Sequence, residues 1–213
     1  MKSELYVIGG IREGERSITC EVISPAGNVA KLRMTKKMWE KYAFSSADTV
    51  SGEIYREMKH DSEICEATSR AASLVSDAPH SCKALFTKLK QKGFSEEAAE
   101  TAVGTLLRRG YIDEASQARD IADKMARVKN RGPVRIASEL KAKGYPVSVA
   151  DAAARSVDSA VYDTALRSAI SKKARNGIPE DKKERDKLVA SLVRLGFSAG
   201  KVISILETLR GGD

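Results

Sequence analysis

Three stretches of this chain align with one another without a gap, and that repeat limits its fold more than any other feature. They are Lys88-Leu89-Lys90-Gln91-Lys92-Gly93-Phe94-Ser95, Glu139-Leu140-Lys141-Ala142-Lys143-Gly144-Tyr145-Pro146 and Ser191-Leu192-Val193-Arg194-Leu195-Gly196-Phe197-Ser198. The glycines stand 51 and 52 residues apart, each with a leucine four residues before it and an aromatic directly after it. Leu85, Ile136 and Leu188 precede the leucines by four. Val103 with Leu106, Ala154 with Val157, and Leu206 with Leu209 follow the glycines by ten and thirteen. Apolar positions at these spacings mark helix faces. A period near fifty marks modules that bury their apolar faces against neighbours.

One module reads as follows. A short helix stops at a glycine in the left-handed conformation, which costs no Cβ clash there, and the aromatic folds back on the helix end. Ser95, Ser148 and Ser198 are placed to cap the next helix. A third helix follows, capped by Asp113 in the first module, with Ala118, Ile121, Ala122, Met125 and Val128 on one face. Its counterpart in the second module carries Tyr162, Ala165, Leu166, Ala169 and Ile170. The third module is left one helix short, unless the helix expected over Glu53–Leu74 supplies it. The structural set is therefore Leu85, Leu89, Gly93, Phe94, Ile136, Leu140, Gly144, Tyr145, Leu188, Leu192, Gly196 and Phe197.

The first fifty residues read differently. Ser17–Ile23 alternates and is rich in β-branched residues, Pro25-Ala26-Gly27-Asn28 is a turn, and Val29–Met34 returns as a second strand. Such a hairpin needs a helix to pack on, and Thr35 is placed to cap a helix over Lys36–Phe44. The expected architecture is mainly α: tandem three-helix repeats in an elongated curved array, with a small N-terminal β-containing region. Its segments are a β-rich or mixed region at 1–50, a helical linker at 51–78, repeats at 79–130 and 131–178, and the first two helices of a third repeat at 179–213.

Chemistry is sparse. The two histidines, His60 and His80, form no zinc-protease pattern, and Cys20, Cys65 and Cys82 contain no Cys-x-x-Cys. Gly9-Gly10 lacks the spacing and the Lys-Ser/Thr pair of a phosphate loop. Asp113-Glu114 reads as a cap and a first-turn charge. His80 and Cys82, two apart, lack a third orienting group. No catalytic residue, cofactor or metal is expected. Three unpaired cysteines fit a reducing cytoplasm. No apolar run reaches membrane-span length, and Tyr6–Ile8 is too short for a signal-peptide core.

Charge supplies the functional hint. The 37 Lys and Arg exceed 29 Asp and Glu, a formal net charge of +8. Arg119–Tyr145 holds eight basic and three acidic residues, and Arg167–Lys187 eight and four. Two readings stand side by side: a solvated helix surface with charge pairing, and a footprint for phosphates or acidic protein. The binding candidates are Lys124, Arg127, Lys129, Arg131, Arg135, Lys141, Lys143, Lys172 and Lys173. Nothing resembles a zinc finger, a basic zipper or an aromatic single-strand platform, so contact would be to backbone shape and charge.

The repeated helix-Gly-aromatic-helix unit, with Gly110-Tyr111-Ile112-Asp113-Glu114 and Gly132-Pro133-Val134-Arg135-Ile136-Ala137-Ser138-Glu139-Leu140, resembles the bacterial RecX family, regulators of the RecA recombinase. The resemblance runs from about Ala71 to Leu209. The family's Gly-x-x-Arg-Ile-x-x-Glu-Leu is intact at Gly132–Leu140. Its usual Arg-Ser-x-x-Glu-Leu opening stands here as His80-Ser81-Cys82-Lys83-Ala84-Leu85, with both the Arg and the Glu replaced. The resemblance implies a cytoplasmic, monomeric protein of DNA repair, homologous recombination and the SOS response. It would bind in the groove of the RecA–DNA filament and damp ATP hydrolysis, coprotease action and strand exchange, with variable affinity for free single- and double-stranded DNA. The other reading of the same charges is a stand-alone DNA-binding or architectural protein.

Overall fold

Every second residue of Ser17–Ile23 is buried, as one solvated face of an antiparallel sheet requires. The structure is a computed structural model that describes residues 4–210; residues 1–3, part of the N-terminal stretch read above, lie outside the described residues. Strand β2 (Ser17–Ile23) pairs with β3 (Val29–Thr35) through the expected turn. Two further strands, which the sequence reading missed, complete a sheet in the order β3-β2-β1-β4: β1 (Leu5–Glu13) and β4 (Thr49–Ser51). Strand β1 escaped notice because Gly9-Gly10 directly follow the short apolar stretch Tyr6–Ile8. The glycines sit at a register shift between Ile8 and Ile11. A Cβ on Gly9 would stand 3.4 Å from the Glu21 carbonyl oxygen, so the bulge brings two backbones close. Thr35 does cap a helix, accepting from the Met38 amide, but helix α1 is only Lys36–Trp39.

Helix α2 (Gly52–Asp77) is capped by Ser51 and runs 26 residues. Its first half lies on the sheet. Met58 joins Ile8, Val22, Met34 and Trp39 in one core, and the buried Ser62 hydroxyl accepts the Arg33 amide of edge strand β3 at 2.8 Å. Its second half packs on α4 (Glu96–Arg108). The helix is therefore used here, not as the missing third helix of the last module. These elements, with most of α3 (Cys82–Gln91), form one compact unit comprising the residues up to His80 and Ala84–Ile112.

A second compact unit contains Ser81–Lys83 and the residues from Asp113 onward. Helix α5 (Glu114–Lys129) shares a core with α6 (Pro133–Ala142) and α7 (Val147–Ser156), built from Ala118, Ala122, Met125, Ile136, Leu140 and Tyr145 with the α7 alanines. Helix α8 (Ser159–Lys173) shares another with α9 (Lys182–Val193) and α10 (Ala199–Arg210), built from Leu166, Ile170, Leu188, Leu192, Phe197 and Leu206. Each core opens on the helix that precedes a glycine-aromatic hairpin, so α8 covers the hairpin that read as one helix short. Of the spaced apolar pairs, Leu209 is the exception: it is exposed.

The helix ends follow from the repeated residues. Gly93, Gly144 and Gly196 have φ of +91°, +88° and +98°. Phe94 and Tyr145 donate their amides to the Leu89 and Leu140 carbonyls, and Gly93 and Gly144 donate to Lys90 and Lys141, the paired bonds that close a Schellman turn. Gly110 and Tyr111 repeat the pattern on α4. Ser95 and Ser198 cap the following helices, but Ser148 does not. Pro146 occupies the place that serine takes in the other two copies, and α7 starts directly after it. Ser95→Ala is expected to lower stability by about 1 kcal/mol, and Ser148→Ala by less than about 0.5 kcal/mol, in urea unfolding followed by circular dichroism.

Candidate functional site

The charge-rich segment is shaped by one residue the sequence reading passed over. Asn130 ends α5 in the left-handed conformation, φ +51°, which asparagine tolerates better than other side chains, and it is buried. The signal was an asparagine just before Arg131-Gly132-Pro133. The turn it makes sends Arg131 inward. The Arg131 Nε is buried, 3.6 Å from a Glu139 oxygen and without a hydrogen bond. Arg135, one turn before Glu139 on α6, donates to the same carboxylate at 2.7 Å. This bond and the nearby charges of Arg131, Arg135 and Lys129 hold the Glu139 carboxyl below the usual range, against the opposing effect of burial. Two of the expected binding cations, Arg131 and Arg135, thus face one carboxylate.

Two others are paired as well. Arg127 holds Asp123 through Nε at 2.7 Å, one turn back on α5, and Lys141 holds Asp151 of α7 at 2.7 Å. Lys124, Lys129 and Lys143 are exposed, and Lys172 and Lys173 are exposed in the last turn of α8. None of these five is within ion-pair distance of a carboxylate among the described residues. The nine candidates therefore divide by chemistry. Arg127, Arg131, Arg135 and Lys141 stand within ion-pair distance of the protein's own carboxylates, whereas five lysines present their charge to solvent alone.

Glu139 decides how much positive charge this corner shows. Its folded-state pKa lies below the unfolded one, so its stabilisation is present above the unfolded carboxylate pKa and is lost as pH falls through the folded value. Glu139→Gln should cost about 1 kcal/mol at neutral pH. It should also remove that acid-dependent loss and release two guanidinium groups, strengthening binding to polyanions. Chemical unfolding at pH 7 and pH 4, with a heparin-affinity elution profile, checks both.

The hydrogen bonds around the start of α3 give the family-like acidic pair its work. Asp113 caps α5 by accepting the Ser116 amide, and Glu114 accepts the Cys82 amide at 2.9 Å. The Ser81 hydroxyl donates to the Lys143 carbonyl at 2.8 Å. His80 Nε2 lies 3.1 Å from Lys88 Nζ. The Cys82 thiol is pushed up, first by burial and then by Glu114, the opposite of what an activated nucleophile needs. Burial likewise pushes Cys20 up to about 11. Among the described residues no three His, Cys, Asp or Glu side chains gather to hold a metal, and no helix is long and apolar enough to cross a membrane.

Comparison with known proteins adds sequence and fold evidence. A family model described as "RecX, first three-helix domain" matches residues 67–106, from the second half of α2 through most of α4. The chain is 32% identical over 153 residues to the Regulatory protein RecX of Prosthecochloris aestuarii, covering 70% of this chain and 97% of that protein. With the Regulatory protein RecX of Chlorobaculum tepidum it shares 30% over 147 residues, covering 69% and 90%. A crystal structure of a regulatory protein RecX superimposes with a TM-score of 0.76 at 19% identity, over 95% of this chain and 99% of that one. RecX from Lactobacillus salivarius gives 0.62 at 18% identity, over 70% and 97%. At these identities the two structures speak for the fold.

Proposed function

The chain belongs to the RecX family of regulatory proteins, and from that premise we propose that it regulates the RecA recombinase by binding in the groove of the RecA–DNA filament. There it damps ATP hydrolysis, coprotease action and strand exchange. The mechanism is occupancy: it acts in proportion to the amount bound, with no turnover of its own.

The observation that carries this reading is the set of exposed lysines without a carboxylate partner among the described residues, Lys124, Lys129, Lys143, Lys172 and Lys173. Ammonium groups on mobile stems suit the charged backbone of a nucleoprotein polymer, which asks for charge rather than base recognition. Titrating the protein into preformed RecA–single-stranded DNA filaments, with ATPase rate and bound protein both measured, tests it. Saturable inhibition is expected, with tighter binding to filament than to bare DNA. An ATPase rate unchanged at stoichiometric protein overturns it, and equal, salt-dependent binding to bare DNA favours the stand-alone DNA-binding reading.

A further inference from the structure

The first unit holds a cavity lined entirely by its own residues. It is a groove of about 930 Å³ bounded by α2, the end of β3, α1 and the C-terminal end of α4. One stripe of α2 forms its floor. Ile64, Thr68, Ala72 and Val75 recur every three or four residues, and Leu106 and Met38 close the sides. The hydroxyls of Thr68 and Thr105 are bonded back to the Ile64 and Thr101 carbonyls of their own helices, so the walls present few free polar groups. From Ile64 to Val75 the stripe is about 16 Å long at the α-helical rise per residue.

The rim is of one sign. Arg16, Arg33, Lys37 and Arg109 line it, against the single carboxylate of Glu66. None of the four cations is within ion-pair distance of a carboxylate among the described residues; Arg33 Nε instead donates to the Ser17 hydroxyl at 3.1 Å. Tyr111 stands at the mouth, 61% exposed. An apolar floor framed by unpaired cations takes a ligand with apolar side chains and negative flanks.

We propose that this groove is a docking site for a short acidic segment of a partner protein, one that lowers leucine-like side chains onto α2 between Ile64 and Val75 and places carboxylates against Lys37 and Arg109. Single-stranded nucleic acid fits less well, because it needs successive aromatic platforms and the groove offers one tyrosine at its edge. The proposal goes beyond filament binding, and its test contains no recombinase, so its failure leaves the filament reading untouched.

The test uses the full chain with ¹³C-labelled Ile, Leu and Val methyl groups. The probe is a synthetic twelve-residue peptide with two leucines four residues apart among aspartates and glutamates. The expected result is saturable shifts at Ile64, Val75 and Leu106. Lys37→Glu with Arg109→Glu should weaken binding at least tenfold, and Ala72→Trp, which fills the groove from an exposed position, should abolish it. A peptide with serine for leucine should leave the methyl signals unmoved. Raising NaCl on the unaltered chain must also weaken binding, which keeps the test independent of how well the variants fold. Three outcomes would overturn the proposal: no saturable shift at those methyls, equal binding by a peptide with lysines for its acids, or a twelve-residue oligothymidylate moving the same methyls while the peptide does not.

Discussion

Gly196→Ala is expected to destabilise the second unit by about 4 kcal/mol or more, a loss of the size reserved for steric conflict in a packed site. Two causes act together. Gly196 has φ of +98°, where an alanine Cβ is strained, and that Cβ would overlap the backbone nitrogen and Cβ of Arg135 at the start of α6. The approach is mutual. Gly132 donates its amide to the Leu195 carbonyl at 2.8 Å, Val134 donates to Gly196, and a Cβ on Gly132 would overlap the Gly196 carbonyl. Two backbones meet there with no side chain between them.

Two companion variants separate the causes. At Gly93 the φ is +91° but nothing lies within 4 Å of an added Cβ, so Gly93→Ala should cost only the backbone strain, about 1–2 kcal/mol. At Gly132 the φ is −82°, which any residue adopts, so Gly132→Ala reports the contact alone. Its cost should exceed that of Gly93→Ala and should not add to that of Gly196→Ala, because both remove one approach. Thermal and urea unfolding of the four proteins settles the order. A Gly132→Ala protein as stable as the parent would mean that the two backbones are not in contact.

The same glycines show what was legible in the sequence. The turn at each helix end was readable because it is local: six residues fix a Schellman turn, and glycine followed by an aromatic announces it. The contact of Gly132 with Gly196 was not readable, because it joins positions 64 residues apart and leaves no periodicity. Strand β1 was lost for a related reason. A bulge puts two glycines inside a strand, and in sequence they cannot be told from a loop. The grouping of helices was obscured because a repeat shows its period and not where a unit begins; the shared cores of α5 with α6–α7, and of α8 with α9–α10, supply that. The basic segment was legible as composition. Which of its cations are spent on Asp123, Glu139 and Asp151 depended on rotamers and on the turn at Asn130.

That division sharpens the charge-reversal experiment. Exchanging Lys124, Lys129 and Lys143 together for glutamate changes the charge by six, taking the formal net charge from +8 to +2. These ammonium groups make no ion pair among the described residues, and Lys143 contributes its carbonyl, not its side chain, to Ser81. The far-ultraviolet circular dichroism and the melting temperature should therefore stay close to those of the parent. Filament affinity should fall on the order of a hundredfold at near-physiological salt, and the salt dependence should flatten by about two in log–log slope if the three lysines meet single-strand phosphates. Reversing Arg127, Arg131, Arg135 and Lys141 instead would bring carboxylates against Asp123, Glu139 and Asp151, so lost binding could not be told from lost structure. The same triple variant separates the competing readings. A loss seen with filaments and not with bare DNA places the lysines on the nucleoprotein surface. An equal loss on both places them on DNA itself, and undiminished filament binding by the folded variant removes them from the interface.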